Sequence, residues 1–310
     1  MAYTRCDDRG VAYYFSAEDF PALSCEELSF AASAGHTLFG FIYSYGSPIE
    51  GRLVVFDHGF GGGHRSYMRE IETLCRHGYR VFAYDHTGCM RSGGESTNGM
   101  AQSLCDLNDA INAIKGDARF ADASISVIGH SWGGFAALNI AAFHPDISHI
   151  VAISGFISVE ALVRSFFGGI MRGYRAAVMA LETASNPKFV GANATAALAQ
   201  TEARVLLIYS DNDKLCRKKP HYDALYSALS RKENVRLLLV HNKGHNPNYT
   251  EDAVKYLGEY SARLSRLLRK GRLSTEEERR SFVASLDWKR MTEQDGAVWN
   301  EIFKTLDSNV

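Results

Sequence analysis

The sequence has almost no imbalance of charge: 34 Lys and Arg stand against 35 Asp and Glu, a formal net charge of −1 at pH 7. That excludes the basic footprint of a nucleic-acid-binding chain. Its six cysteines, Cys6, Cys25, Cys75, Cys89, Cys105 and Cys216, form no C-x-x-C pair and no metal-ligand spacing, so no metal centre is expected. No uncharged apolar run approaches the roughly 18 residues of a spanning helix, which argues against stable membrane insertion. The opening "MAYTRCDDRGVAYYF" lacks a basic segment followed by an apolar one, so no signal peptide is expected. There is no internal repeat and no low-complexity segment. A reduced, cytoplasmic protein is the expectation. With 46% hydrophobic and 22% charged residues among 310, the chain has ordinary globular composition and can bury a large core.

Eight stretches read as strands. Residues 26–33 and 37–44 are joined by Ala34-Gly35-His36, a hairpin signal. Residues 52–57, 79–85, 124–129, 149–154, 204–210 and 235–241 are solid apolar runs without alternation, as parallel strands covered on both faces require. Helical patterns fall between them, over 66–77, 100–114, 132–143, 217–230 and 250–269. In the second, Met100, Leu104, Leu107, Ile111 and Ile114 form one apolar stripe. The alternation predicts an α/β fold: a mostly parallel sheet of about eight strands with helices on both faces.

Three stretches carry chemistry. In "ISVIGHSWGGFAAL" (125–138) a buried strand runs into Gly129-His130-Ser131-Trp132-Gly133 and then a helix. This G-x-S-x-G pattern puts a serine on a sharp turn, with small residues two before and two after to avoid a clash. The turn lifts the hydroxyl above the carboxyl end of the sheet, beside the free N–H groups of a helix start. In "FDHGFGGGHRS" (56–66) a glycine-rich loop follows an early strand. The phosphate-loop pattern G-x-x-x-x-G-K-[ST] is absent, so the better reading is an oxyanion hole formed by the N–H groups of Trp132 and Phe60. Asp211 and Asp213 follow the strand at 204–210, and one of them can be only a turn residue. His241 ends the last strand and His245 follows Gly244 on the next loop.

With the chain order Ser, Asp, His, each after a strand, the sequence resembles the α/β-hydrolase superfamily. The likeness is greatest to the branch of monoacylglycerol-lipase-like esterases and serine aminopeptidases, and covers about residues 26–268. It implies Ser131 as nucleophile at the elbow, Asp213 as the acid in a "G-x-x-D" pattern whose glycine is Ser210 here, and His245 as base in "G-H". Asp211 remains the rival acid. "YDHTGCMRSGG" (84–94) resembles the family loop D-x-x-G-x-G-x-S, with Met90 where glycine is commoner. His130 is expected to point away from the pocket, and His58 to shape the oxyanion loop.

The resemblance implies serine-ester hydrolysis through an acyl-enzyme, with no cofactor and a small-molecule ester as partner. Residues 1–154 and 204–270 are the expected core, and 155–203 a helical cap inserted after the sixth strand. Phe166, Phe167, Ile170 and Met171 are the candidate substrate-lining residues of that cap, which suits esters of apolar acyl or aromatic acids. Residues 271–310 form a helical extension, with a capping-box pattern at Ser274 and Glu277. Its apolar stripe Val298, Trp299, Ile302, Phe303 and Leu306 is expected to pack on the core or on a second subunit. Thioesterase and serine aminopeptidase are the alternatives. The cap offers an aminopeptidase only Glu160 and Glu182 to hold a free amine. Serine at the elbow, where epoxide hydrolases and dehalogenases use aspartate, argues against those activities. The non-enzymatic alternative is a binding protein on the same fold.

Overall fold

The computed structural model describes residues 3–308. Its strands are β1 (Leu23–Ala31), β2 (Thr37–Tyr45), β3 (Arg52–Asp57), β4 (Arg80–Tyr84), β5 (Ser124–His130), β6 (His149–Ile153), β7 (Arg204–Ser210) and β8 (Val235–Val240). The sheet order is β1-β2-β4-β3-β5-β6-β7-β8. Only the β1–β2 and β2–β4 pairs are antiparallel. From β4 to β8 every pairing is parallel. All the loops that follow β3 and β5 to β8 therefore leave from one edge of the sheet.

The helices are α1 (Met68–Arg76), α2 (Gln102–Gly116), α3 (Trp132–Asn139), α4 (Val159–Phe166), α5 (Arg175–Ser185), α6 (Ala194–Gln200), α7 (Tyr222–Leu229), α8 (Glu251–Arg269), α9 (Glu276–Ala284), α10 (Trp288–Met291) and α11 (Gly296–Leu306). They cover both faces of the sheet, because its inner strands are apolar on both. In β3, Leu53 and Val55 face α2 and α3, whereas Val54 and Phe56 face α1 and α11. All four are essentially buried. The helix expected from residue 217 begins at Tyr222, after Pro220, whose ring disfavours helical backbone at the residue before it. Among the described residues, no helix is long and apolar enough to cross a membrane.

The inserted stretch divides by packing. α4, a single 3₁₀ segment (Gly169–Tyr174) and α5 form one group, with α4 packed on α5. α6 packs on α3 and α7, with Ala194, Ala197 and Leu198 buried, and serves as the ordinary crossover helix between β6 and β7. The capping box of the extension lies one residue beyond the expected Ser274/Glu277 pair. Thr275 Oγ1 accepts from Glu278 N–H, and the Glu278 side chain returns to the Thr275 backbone. Both spacings fit the sequence pattern, and the helix starts at the second.

The final helix completes the sheet's second face. α11 packs on β6 and β7, and Val298, Trp299, Ile302 and Leu306 are buried within the same chain. Phe303 is partly buried and stacks on His77 with ring centroids 3.7 Å apart. The apolar stripe is thus spent on the chain's own sheet. Replacing the wholly buried Ile302 by alanine is expected to lower unfolding free energy by about 2–5 kcal/mol. Urea denaturation reads this directly, and an unchanged midpoint would mean that α11 is an appendage.

Candidate active site

The site begins with a strained turn. Ser131, between β5 and α3, has φ 57° and ψ −107°, a conformation that side chains rarely adopt. Neighbouring backbone enforces it. A Cβ on Gly129 would lie 2.1 Å from Gly133 O, and a Cβ on Gly133 would lie 2.1 Å from Asp57 O. Ser131 N–H donates to Ile153 O at 2.8 Å, and Gly133 N–H to His58 O at 3.1 Å. Two flanking strands thus hold the turn, and only glycine fits where they do so.

The parallel register brings the distant groups to this point. His245 Nε2 lies 2.7 Å from Ser131 Oγ and accepts its proton in a hydrogen bond. His245 Nδ1 donates to Asp213 Oδ2 at 2.7 Å. The other oxygen of Asp213 accepts the N–H groups of Leu215 at 2.8 Å and Cys216 at 3.1 Å. Burial works to raise the Asp213 pKa, but His245 and these amides outweigh it and hold the carboxyl below its ordinary value. Asp211 does not join the cluster. It accepts from His241 Nδ1 at 2.7 Å and Asn242 N–H at 3.0 Å on the exposed side of the loop.

His130 is coupled to the site, its ring centroid lying 4.9 Å from that of His245. Its Nε2 donates to the backbone oxygen of His245 at 2.7 Å, and its Nδ1 accepts from Tyr67 OH at 2.9 Å. It thereby fixes the loop that carries His245. Spacing alone did not disclose this, because its direction follows from the turn at Ser131.

The glycine-rich loop lies opposite. Trp132 opens α3, and the first N–H groups of a helix have no intrahelical acceptor. Its indole Nε1 donates to Met100 O at 2.7 Å, and its ring meets the Phe60 ring edge-on at 5.2 Å. The half-exposed Phe60 ring borders solvent. Beneath it, His58 Nδ1 donates to Gly59 O at 2.8 Å while its Nε2 accepts from His86 N–H at 3.1 Å. His86 sits between two buried carboxylates, with Nε2 2.5 Å from Asp57 and Nδ1 3.2 Å from Asp106. Burial opposes its charge, yet the two carboxylates prevail and hold its pKa up to about 10. The sequence offered the glycines but no sign of this buried pair of histidines.

α4 and α5 enclose an apolar cavity of about 390 Å³ against Met100, whose carbonyl accepts from the Trp132 indole. Phe166 and Phe167 line it, together with Leu162, Val163 and Val178. Ile170 and Met171 do not. Ile170 is 97% exposed and Met171 43%, because the 3₁₀ segment carries them on its outer side. Glu182 closes one end of the cavity by accepting from Met100 N–H at 2.8 Å and from Tyr3 OH. Glu160 pairs with Arg164 on the surface. Two groups of potential metal ligands, Asp213/Cys216/His245 and Cys105/Asp106/Asp109, lie close enough to share an ion. Their carboxylates are already engaged, Asp213 as above, Asp106 by Thr87 and Gln102, and Asp109 by Ser33.

Residues 52–261, more than half of the chain, match the family model described as the alpha/beta hydrolase fold. The chain belongs to the alpha/beta-hydrolase family. Among curated relatives of this hydrolase-fold chain is RutD of Caulobacter segnis, which carries a provisional carbamate-hydrolase name. It is 31% identical over 140 residues, covering 42% of this chain and 49% of RutD. Epoxide hydrolase B of Mycobacterium tuberculosis is 33% identical over 108 residues, covering 34% of this chain and 29% of that protein. The chain spans about half the length, or less, of these curated relatives. An esterase of Pyrococcus furiosus superposes with a TM-score of 0.61 at 20% identity, covering 87% of this chain and 99% of that one. At that identity the likeness concerns the fold.

Three buried histidines predict acid sensitivity. Burial, joined at His58 by the neighbouring charge of His86, pushes His58 and His130 from 6.5 down to about 3, and burial pushes His221 down to about 4. Unfolded, each takes a proton near 6.5; folded, each stays neutral well below that. The stability that these three contribute is therefore full above about pH 6.5 and is lost as pH drops from there toward about 3–4. Urea midpoints measured across this window are expected to decline steadily with acid. A flat profile would contradict neutral burial of the three imidazoles.

Proposed function

We propose that this protein hydrolyses carboxylic esters of apolar acids, with Ser131 as nucleophile, His245 as base and Asp213 as the group that orients and stabilises the imidazolium. The single observation that carries the reading is the unbroken chain of two 2.7 Å hydrogen bonds from Asp213 through His245 to Ser131 Oγ. A serine hydroxyl is a weak nucleophile at neutral pH and needs such a base. As Oγ attacks the acyl carbon, His245 Nε2 takes its proton. The N–H groups of Trp132 and Phe60 receive the developing oxyanion, each such donor being worth roughly 2.7–4 kcal/mol. His245 then protonates the leaving alcohol. Water, deprotonated by the same imidazole, releases the acid from the acyl-enzyme.

The apolar cavity beneath α4 and α5 favours an acyl or aromatic chain over a charged one. Thioesters share the chemistry and differ in the leaving group. Aminopeptidase action is the weaker reading, because Glu182 and Glu160, the acids of the cap, are already bonded. Serine at the elbow likewise separates this chain from the aspartate mechanism of an epoxide hydrolase. The carbamate in RutD's name is attacked at the same kind of carbonyl.

A panel of nitrophenyl esters of graded chain length, with an aromatic ester, a thioester, a carbamate and an aminoacyl anilide, tests the class. The apolar esters are expected to give the highest kcat/KM. Ser131→Ala is expected to cost roughly 10³–10⁶-fold, and Asp213→Asn about 10⁴-fold, with Asp211→Asn near wild type. The rate should also fall on the acid side as the base becomes protonated. Equal turnover by wild type and Ser131→Ala would overturn the proposal.

A further inference from the structure

Cys6 and Cys89 meet where the N-terminal segment crosses the loop after β4. They are direct partners in an isolated parallel β-bridge. Cys6 N–H donates to Gly88 O at 2.8 Å, and Met90 N–H donates to Cys6 O at 3.3 Å. Bridged partners on neighbouring strands lie about 4.8 Å apart, inside the roughly 4.4–6.8 Å between Cα atoms that a disulfide spans. The segment is also fastened from the side, since the Arg5 guanidinium donates to the carbonyls of Met90 at 2.7 Å, Ser92 at 3.2 Å and Gly94 at 2.5 Å. Joining the two sulfurs therefore needs little movement of the backbone.

The two thiols are unequal. Cys89 is wholly buried and Cys6 half-buried. Cys6 opens on a cavity of about 510 Å³ that Tyr14, Phe60, Gly61 and Tyr249 also line. The Cys89 thiol hydrogen-bonds to the Cys6 sulfur and, against the opposing effect of burial, favours its thiolate; Gly61 N–H and the charge of Arg9 act the same way. The other thiols are pushed the opposite way by burial, Cys25, Cys75, Cys105 and Cys216 alike. Thiolate character combined with access selects which cysteine an oxidant attacks.

We propose that Cys6 is a hydroperoxide-reactive thiol and Cys89 its resolving partner, so that peroxide converts the pair into an intrachain disulfide. In the first step the Cys6 thiolate attacks one peroxide oxygen and the O–O bond breaks. The sulfur keeps that oxygen as a sulfenic acid, and the other oxygen leaves with a proton as water, or as an alcohol from an organic hydroperoxide. In the second step the Cys89 sulfur attacks the Cys6 sulfur and the S–O bond breaks. The hydroxide released takes the Cys89 proton and leaves as water. Two electrons pass from the thiols to the peroxide. The product ties the N-terminal segment covalently to the loop beside Phe60 and Gly61, and a dithiol reverses it.

The test uses the full-length reduced protein, hydrogen peroxide, alkylation of remaining thiols and peptide mapping by mass spectrometry. Two of the six thiols are expected to disappear together as one Cys6–Cys89 linked peptide, restored by dithiothreitol. Cys6 should react about tenfold or more faster than the exposed Cys25. In Cys89→Ser the sulfenic acid should persist and take a dimedone label at Cys6; in Cys6→Ser no linked peptide should form. Oxidation at Cys25 with Cys6 and Cys89 both still alkylated in the wild type would overturn the proposal, as would an unlabelled Cys6 in Cys89→Ser. The readout is covalent chemistry at sulfur and is independent of ester hydrolysis.

Discussion

One backbone conformation organises the molecule: Ser131 at φ 57°, held between two glycines that have no room for a Cβ. A residue with a side chain held in so sparsely populated a backbone region costs on the order of 1–3 kcal/mol, so it persists only where packing over-determines it. Here β6 and the residue that follows β3 both bond to the turn, through Ile153 O and His58 O. Those strands flank β5 because the sheet is parallel. The same register lets β7 and β8 end on the same edge and deliver Asp213 and His245. The core thus sets the positions, and the loops supply the chemistry.

A set of buried histidines surrounds the Ser131, His245 and Asp213 cluster. His130 grips the backbone of His245, and His58 grips the backbone of Gly59. Both are held neutral, which leaves each with one donor and one acceptor and so fixes its tautomer. His86 is the charged exception, stabilised by Asp57 and Asp106. Buried polar groups on this scale are tolerated only when bonded, and they give the two loops defined positions instead of merely apolar contacts.

Much of this was legible in the sequence, and the exceptions have physical reasons. Solid apolar runs located β3 to β8 to within a residue or so, because strands covered on both faces have no other composition open to them, and a hairpin signal located β1 and β2. The glycines around Ser131 disclosed the turn. Met90, standing where the family loop commonly has glycine, lies at φ 46°, so the pattern reported a backbone demand that this chain meets with a strained side chain. Cap residues were harder to read. Phe166 and Phe167 border the cavity, Phe166 with half its surface still exposed, while Ile170 and Met171 do not border it, because apolar character does not set direction in a short 3₁₀ segment. The hold of His130 on His245 is a contact across 115 positions, which no local pattern encodes.

The central claim is that the strained hydroxyl becomes covalently acylated during turnover. Rapid acid quenching of the protein while it hydrolyses a nitrophenyl ester, followed by peptide mass spectrometry, tests it directly. The account predicts one acyl group per chain on the peptide that contains Ser131. Steady turnover with that peptide unmodified, or with the acyl group carried by a cysteine, would contradict it.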